Sequence, residues 1–129
     1  MLFRSKFSDL LYQMDLSFKK KVHGQLIQSL EQKINELKES LDAAIESRNS
    51  DTKSSAGDKH ETSREMMQQE VAIYERELDK LRQFRSVILK LNPGLTSKVV
   101  ESGALVMAGN LVFYVATGIG KIDVDGHSV

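Results

Sequence analysis

The sequence predicts an α+β fold, in which an N-terminal antiparallel coiled-coil hairpin of two helices precedes a small antiparallel β module. Apolar residues recur with alternating steps of three and four along two long segments, and a polar stretch separates these segments. After Pro93 the pattern changes to short apolar runs between glycine turns. The first pattern is a coiled-coil seam and the second is typical of β-hairpins. We therefore expect a helical hairpin over residues 1–91, a linker at 92–97 and a β module over 98–129.

The composition fits long solvated helices better than a large core. The chain has 129 residues, of which 28% are charged, and its 18 basic residues cancel its 18 acidic ones. A neutral chain has no overall attraction for nucleic acid or anionic membranes, so polar recognition must come from local patches. The absence of cysteine excludes disulfides, thiolate zinc sites and cysteine nucleophiles. With no secretory signal and no run of roughly 20 apolar residues, we expect a soluble cytoplasmic protein with no membrane partner.

The first long helix is predicted from about Ser17 to about Arg48. Residues 1–16 are expected to form a short amphipathic helix or an ordered arm. Between Ser47 and Ser55 the chain is rich in Ser, Asn, Asp and Thr, which compete for their own backbone and break helices. We therefore place the tip of the hairpin at about residues 48–61. The seam of this helix consists of Ile27, Leu30, Ile34, Leu37, Leu41 and Ala44.

The second helix is predicted from about Glu61 to Leu91. It is expected to end before Asn92-Pro93-Gly94, because the residue before a proline avoids helical geometry and glycine favours termination. Its seam consists of Met67, Val71, Tyr74, Leu78, Leu81, Arg85 and Ile88.

The two seams also predict which residues face each other. In an antiparallel pair the residue numbers of facing positions have a constant sum. Ala44 should therefore lie near Met67, and Ile27 near Arg85. Arg85 is charged, and we expect its aliphatic stem to be covered while its guanidinium reaches solvent.

Three strands and their turns are predicted beyond the linker. Leu111 to Ala116 is apolar at nearly every position, so we expect that strand to be buried on both faces. Gly118-Ile119-Gly120-Lys121 is interpreted as a hairpin turn, because it lacks the first glycine and the final Ser or Thr of a phosphate loop. So small a sheet buries little, so the module is expected to be incomplete and to self-associate through its C-terminal β edge. The predicted strands are residues 104–108, 111–117 and 121–124.

The best candidates for functional residues lie at the tip of the hairpin. They are Gly57, Asp58, Lys59, His60 and Glu61. Mg²⁺ accepts one or two protein carboxylates and takes its other ligands from water and phosphate. Asp58 and Glu61 would thus form an incomplete metal site that needs a host. The same two residues fit a capping box, with Asp58 at the N-cap and Glu61 at the third helical position. Residue types alone favour capping, and the two roles are compatible.

Other polar motifs have weaker functional interpretations. His23, His60 and His127 lie in three different segments without zinc-site spacing, and we expect surface or hinge residues. The run Lys19-Lys20-Lys21 is either a contact for phosphate or an acidic partner, or a solvated face. The sequence contains no recognisable Ser/His/Asp catalytic arrangement, so we expect the protein to have no catalytic residues of its own.

Two stretches resemble the Gre family of bacterial transcript-cleavage factors, in particular a shorter, divergent Gre-like group. Residues 56–66, AGDKHETSREM, are similar to the Gre tip, with a Gly-Asp pair, an acid three residues later and a polar entry into the second helix. Residues 100–106, VESGALV, are similar to the opening of the family's FKBP-like domain. A competing alignment of the tip through Asp51-Thr52-Lys53 matches the Asp and the Lys and places Ser54 at the second acid.

The resemblance implies a partial FKBP-like fold for the β module and RNA polymerase as the partner. By this analogy the module docks on the rim of the secondary channel, and the hairpin descends toward the active centre and contacts the RNA 3′ end only indirectly. Asp58 and Glu61 then help to hold a Mg²⁺ ion for the polymerase's own cleavage of backtracked RNA. The protein would be a transcription elongation factor and at most a stimulator of that nuclease.

Two alternatives remain open. Instead of a cleavage factor, the protein would be a transcription regulator that occludes the channel without stimulating cleavage. The second alternative is a coiled-coil interaction or dimerisation adaptor unrelated to polymerase. An adaptor requires only the heptad seams of a coiled coil, which this sequence has. The tip separates these readings, because an adaptor needs no fixed acid pair there and a cleavage factor fails without one.

Overall fold

Across the residues that it describes, 2–51 and 58–129, the computed structural model contains two long helices packed together and two small β-hairpins. Side chains are described for residues 16–50 and 61–129. The elements are α1 (Leu2–Asp51), α2 (Asp58–Leu89), β1 (Leu105–Ala108), β2 (Leu111–Tyr114), β3 (Asp123–Val124) and β4 (His127–Ser128). The predicted α+β architecture, a helical hairpin followed by antiparallel β structure, is confirmed.

α1 is longer than expected at both ends. It begins at Leu2, so that the predicted N-terminal arm is part of the same helix, and it continues to Asp51. The segment contains no proline, and its single glycine, Gly24, weakens a helix without ending it. Helix propagation is cooperative, so the polar residues after Ser47 extend the existing helix instead of breaking it.

α2 begins at Asp58, three residues before the predicted start at Glu61. The expected tip at 48–61 is therefore helical at its two ends, over 48–51 and 58–61. Residues 52–57, which include Gly57, lie outside the described part of the chain.

The segment Leu30–Gln83 forms one compact unit, in which the helices pack along the predicted seams. The seam side chains of this unit are buried or half-buried, and none is exposed. Arg48 Nη1 donates a hydrogen bond to Gln68 Oε1 at 2.7 Å, which links α1 to α2. This bond lies one helical turn beyond Ala44 and beside Met67, the pair expected to face each other. The buried members are Leu30, Ile34, Ala44, Val71 and Leu78.

A second compact unit consists of residues 1–29 and 84–129. Here the seam of α1 continues through Val22 and Leu26, which the sequence reading did not include and which are buried. Ile27 and Arg85 are half-buried. The other buried apolar residues of this unit are Ile88 on α2, Ala104 before β1 and Val124 on β3.

The β residues form two separate two-stranded antiparallel sheets, β1–β2 and β3–β4. Gly103 N donates to Val115 O at 2.7 Å and Val115 N to Ala104 O at 2.9 Å, so the first ladder extends beyond the strands. Ile122 and Val129 exchange two hydrogen bonds of 2.9 Å, which extends the second. β2 and β3 are not paired. The interpretation of Gly118–Lys121 as a hairpin turn is therefore wrong, and this segment is part of a loop between two hairpins.

The prediction that Leu111 to Ala116 is buried on both faces is also wrong. Leu111 is 61% exposed and Phe113 is 50% exposed, whereas Val112 and Tyr114 are half-buried. Alternate residues of a strand point to opposite faces, and only the face that carries Tyr114 packs against α1. The outer face, made of Val106, Ala108, Leu111 and Phe113, is apolar.

The C-terminal strand β4 pairs with β3, and β1 pairs with β2. Within the described residues each sheet has only two strands, so every strand, β4 included, has one unpaired edge. Self-association through such an edge stays a prediction.

Candidate functional site

The predicted tip site is described only in part. Asp58 is the first residue of α2 and Glu61 is the fourth, and positions three apart on a helix share one face. Glu61 is exposed. The side chains of Asp58, Lys59 and His60 lie outside the described set, as does the whole of Gly57. The structure therefore gives the backbone setting of the acid pair, and its metal role stays a prediction.

The start of a helix favours acidic residues for a general reason. The first amide groups of a helix have no intrahelical acceptor, and the helix dipole is positive at this end. Asp58 and Glu61 both lie in this first turn. Among the described side chains, no group of three or more His, Asp or Glu residues has an arrangement that fits a metal ion.

A second cluster, which the sequence reading did not assemble, lies where α1 meets the linker and the β module. Lys19, Val22, His23 and Leu26 are spaced by three, one and three residues and share one face of α1. All four are buried. The apolar pair provides packing, while the two polar residues reach partners on other segments. We call these four residues the basal face of α1.

Lys19 ties the linker to α1. It is only 4% exposed, and its Nζ donates a hydrogen bond to Leu95 O at 2.7 Å. Burial lowers the pKa of Lys19, and the negative charge of Glu101 acts in the opposite direction. The linker is itself shaped for this contact, because Gly94 N donates to Asn92 Oδ1 at 2.9 Å and forms a tight turn.

Lys21 reaches the turn between β3 and β4. Its Nζ lies 2.8 Å from Asp125 Oδ2, and both side chains are more than half exposed. Asp125 has a positive φ of 50°, which is a strained conformation that Asp tolerates better than most residues. The lysine run is therefore neither a uniformly solvated face nor wholly free for a partner, since Lys19 and Lys21 are engaged within the chain while Lys20 is exposed.

His23 contacts β2. Its Nδ1 lies 2.9 Å from the hydroxyl of Tyr114, and the two rings meet edge to face with centroids 6.1 Å apart. Burial lowers the pKa of His23 and raises the pKa of Tyr114. His127 on β4 is exposed and makes a second edge-to-face contact, with Phe18, at 5.6 Å. The expectation was surface or hinge histidines. His127 is exposed, His23 is buried and so is not a surface residue, and the side chain of His60 lies outside the described set.

The spacing of the basal face was available in the sequence. Val22 and Leu26 continue the seam by one turn, and Lys19 and His23 sit on the same stripe. The charges of the lysine run concealed this, because a lysine is rarely buried. The partners of the basal face lie far away in the chain and gave no local signal.

Each unit contains a concave region among its described residues. A cavity of about 40 Å³ lies beside the basal face and is lined in part by Val22, Leu26, Tyr114 and Thr117. In the other unit, an open groove of about 480 Å³ runs between the helices. The charges along this groove have both signs, so it offers no single-sign surface for nucleic acid. They belong to Lys38, Asp42, Glu75, Asp79 and Arg82.

Comparisons of the chain with protein-family models, with curated proteins and with solved structures found no match. Within the described residues, no helix is both long enough and apolar enough to cross a membrane.

Proposed function

We propose that the protein is a transcription elongation factor that binds RNA polymerase, inserts its helical hairpin into the secondary channel and supplies acidic residues for cleavage of backtracked RNA. The observation that carries this proposal is the position of the acid pair. Asp58 and Glu61 occupy the first turn of α2, next to the connection between two long paired helices. The proposal requires a cytoplasmic protein, as the composition predicts.

The chemistry suits these residue types. A Mg²⁺ ion supplied to the polymerase active centre would stabilise the attacking water and the leaving oxygen of an in-line displacement. An ion that keeps most of its water ligands needs only one or two carboxylates. Asp58 and Glu61 would provide these carboxylates, and Gly57, Lys59 and His60 would form the rest of the tip. The protein would have no nuclease activity of its own.

The polar contacts between α1 and the C-terminal part of the chain support the proposal in a second way. A factor of this kind needs a small domain fixed to the base of its hairpin. Lys19, Lys21 and His23 all project from α1 to contact the linker or the β module. We assign docking on the rim of the channel to this unit.

Isosteric variants of the tip acids test the proposal. Asp58→Asn and Glu61→Gln remove the charge that would hold a metal but keep a side-chain oxygen able to cap the helix. Each variant should abolish Mg²⁺-dependent stimulation of RNA cleavage in backtracked complexes of the cognate polymerase. The matched control is Glu65→Gln, which changes an exposed acid one turn further along α2 and should retain stimulation.

Binding and stability must be measured beside cleavage. Far-UV circular dichroism should show the same helix content in all variants, and co-sedimentation with polymerase should be unchanged. If the unmodified protein binds polymerase without stimulating cleavage, it is a channel-occluding regulator. If it does not bind polymerase at all, the adaptor alternative replaces the proposal.

A further inference from the structure

We infer that protonation of His23 controls the docking of the β module on α1, so that mildly acidic conditions release the module while the helical seam stays folded. This inference does not depend on the proposed function. It rests on the geometry of one buried contact and on the charges around it.

The contact between His23 and Tyr114 joins α1 to the β module, so its loss should affect the docking of the whole module. His23 is 9% exposed, and its side chain forms a hydrogen bond with Tyr114 on β2. β1–β2 and β3–β4 are separate two-stranded sheets, and isolated two-stranded hairpins are at best marginally stable in water. The module therefore depends on α1 for much of its order.

Protonation does not simply break the hydrogen bond. With a neutral ring, the Tyr114 hydroxyl donates to Nδ1 when the ring hydrogen is on Nε2. With a protonated ring, Nδ1 donates to the Tyr114 oxygen. What changes is the charge, because an imidazolium at this position is removed from water and Tyr114 offers no negative charge to compensate.

The described side chains around His23 offer no negative charge that would offset this cost. On α1, Lys19 lies one turn before His23 on the same buried face, and Lys20 and Lys21 are also close in sequence. From α2, the half-buried Arg85 belongs to the same unit. No carboxylate among the described residues forms an ion pair with His23. The β module carries three acids: Glu101 acts on Lys19, Asp125 pairs with Lys21, and Asp123 is exposed on β3. His127 packs on Phe18.

The direction of the pH effect follows from linkage. Burial lowers the pKa of His23 from its ordinary value of 6.5 when the module is docked, and release restores that value. The docked state then binds fewer protons than the released state, so docking is strongest above pH 6.5 and weakens as the pH falls toward the lowered pKa. Within that window the docking constant falls by up to about tenfold for each pH unit.

Nuclear magnetic resonance on the full chain tests this directly. The His23 ring signals give its pKa in the native protein and in urea. Hydrogen exchange of the Gly103, Val115 and Val129 amides, which donate in the two β ladders, reports release. The exchange rate of each of these amides is divided by the exchange rate of the Ile34 amide in the helical seam. This exchange ratio is measured at pH values between about 7.5 and about 5.5. The increase in the ratio at each pH should follow the linkage curve given by the two measured pKa values of His23, and it reaches the ratio of the two acid constants only below both of them.

Three variants separate this inference from a general acid effect. His23→Phe keeps a ring of similar size and should make the exchange ratio independent of pH. His127→Gln removes an exposed histidine from β4 and should leave the response intact. Tyr114→Phe should lower the pKa of His23 further, because it removes the oxygen that accepts a hydrogen bond from the protonated ring.

A native His23 pKa at or above the value in urea would overturn the inference without any variant. So would an exchange ratio that stays constant over the same pH range, or a pH response that survives in His23→Phe. If His23→Phe fails to fold, the titration of the unmodified protein and the His127→Gln variant still decide the matter.

Discussion

The unit Leu30–Gln83 and the unit formed by residues 1–29 and 84–129 both bury apolar residues, but the sequence separations spanned by their polar contacts differ. The first has a repeated apolar seam, and the hydrogen bond between its helices joins residues 20 positions apart, Arg48 and Gln68. In the second, side chains of α1 reach residues 76, 91 and 104 positions away, at Leu95, Tyr114 and Asp125.

This difference shows what a periodic pattern conveys and what it does not. A seam repeats the same kind of contact many times, so the buried side of the helix is still predicted correctly if one residue is assigned wrongly. The contacts of the basal face are single and distant, and each depends on the correct placement of a turn or a strand. We therefore expect mutations in the seam to act through packing and mutations at the base to act through individual polar contacts.

The largest effect is expected for Ile34→Ala in the seam. Ile34 is 1% exposed, so its truncation removes buried methyl groups and leaves a cavity, at a cost of about 2 to 5 kcal/mol in the free energy of unfolding. Ile73→Ala is the matched control, since Ile73 lies in the same unit but is 48% exposed, and it should cost about 0.5 kcal/mol. Urea denaturation followed by circular dichroism measures both. Equal losses would show that the seam does not stabilise this unit.

An intermediate effect is expected for Lys19→Met at the base. Methionine replaces most of the stem but leaves the Leu95 carbonyl without its donor, which should cost about 1 to 3 kcal/mol. Lys20→Met changes the neighbouring exposed lysine and should be nearly neutral. Urea denaturation gives the free energies, and exchange of the Val115 amide locates the loss in the β module. A more stable Lys19→Met protein would mean that desolvation of the ammonium group outweighs its hydrogen bond.

The smallest effect is expected for the exposed ion pair of Lys21 with Asp125. Exposed pairs contribute about 0.2 to 1 kcal/mol, and salt screens them. A double-mutant cycle with Lys21→Ala and Asp125→Ala, run at low and at high salt, should give a coupling in this range that decreases with salt. A coupling unaffected by salt would indicate that the pair is less solvated than its exposure suggests.

Individual residues show how much of the fold could be predicted from the sequence. Ile34 and Leu78 were placed correctly, because a heptad seam predicts the buried side of a helix without knowledge of its partner. Lys19 and His23 were not recognised as buried, because their burial depends on the linker and on β2. Leu111 was expected to be buried because apolar runs usually are, yet its burial depends on which sheet face finds a packing surface.

The sequence by itself determined the two helices, their seams, the position of the acid pair near the connection and the presence of short strands after Pro93. These features follow from local propensity and periodicity, which each segment carries within itself. Only the tertiary structure decided that the strands form two separate hairpins, that the lysine run ties down the linker and the β3–β4 turn, and that His23 packs against Tyr114. Such contacts depend on chain closure over long separations, and their energy is gained only after distant segments have met.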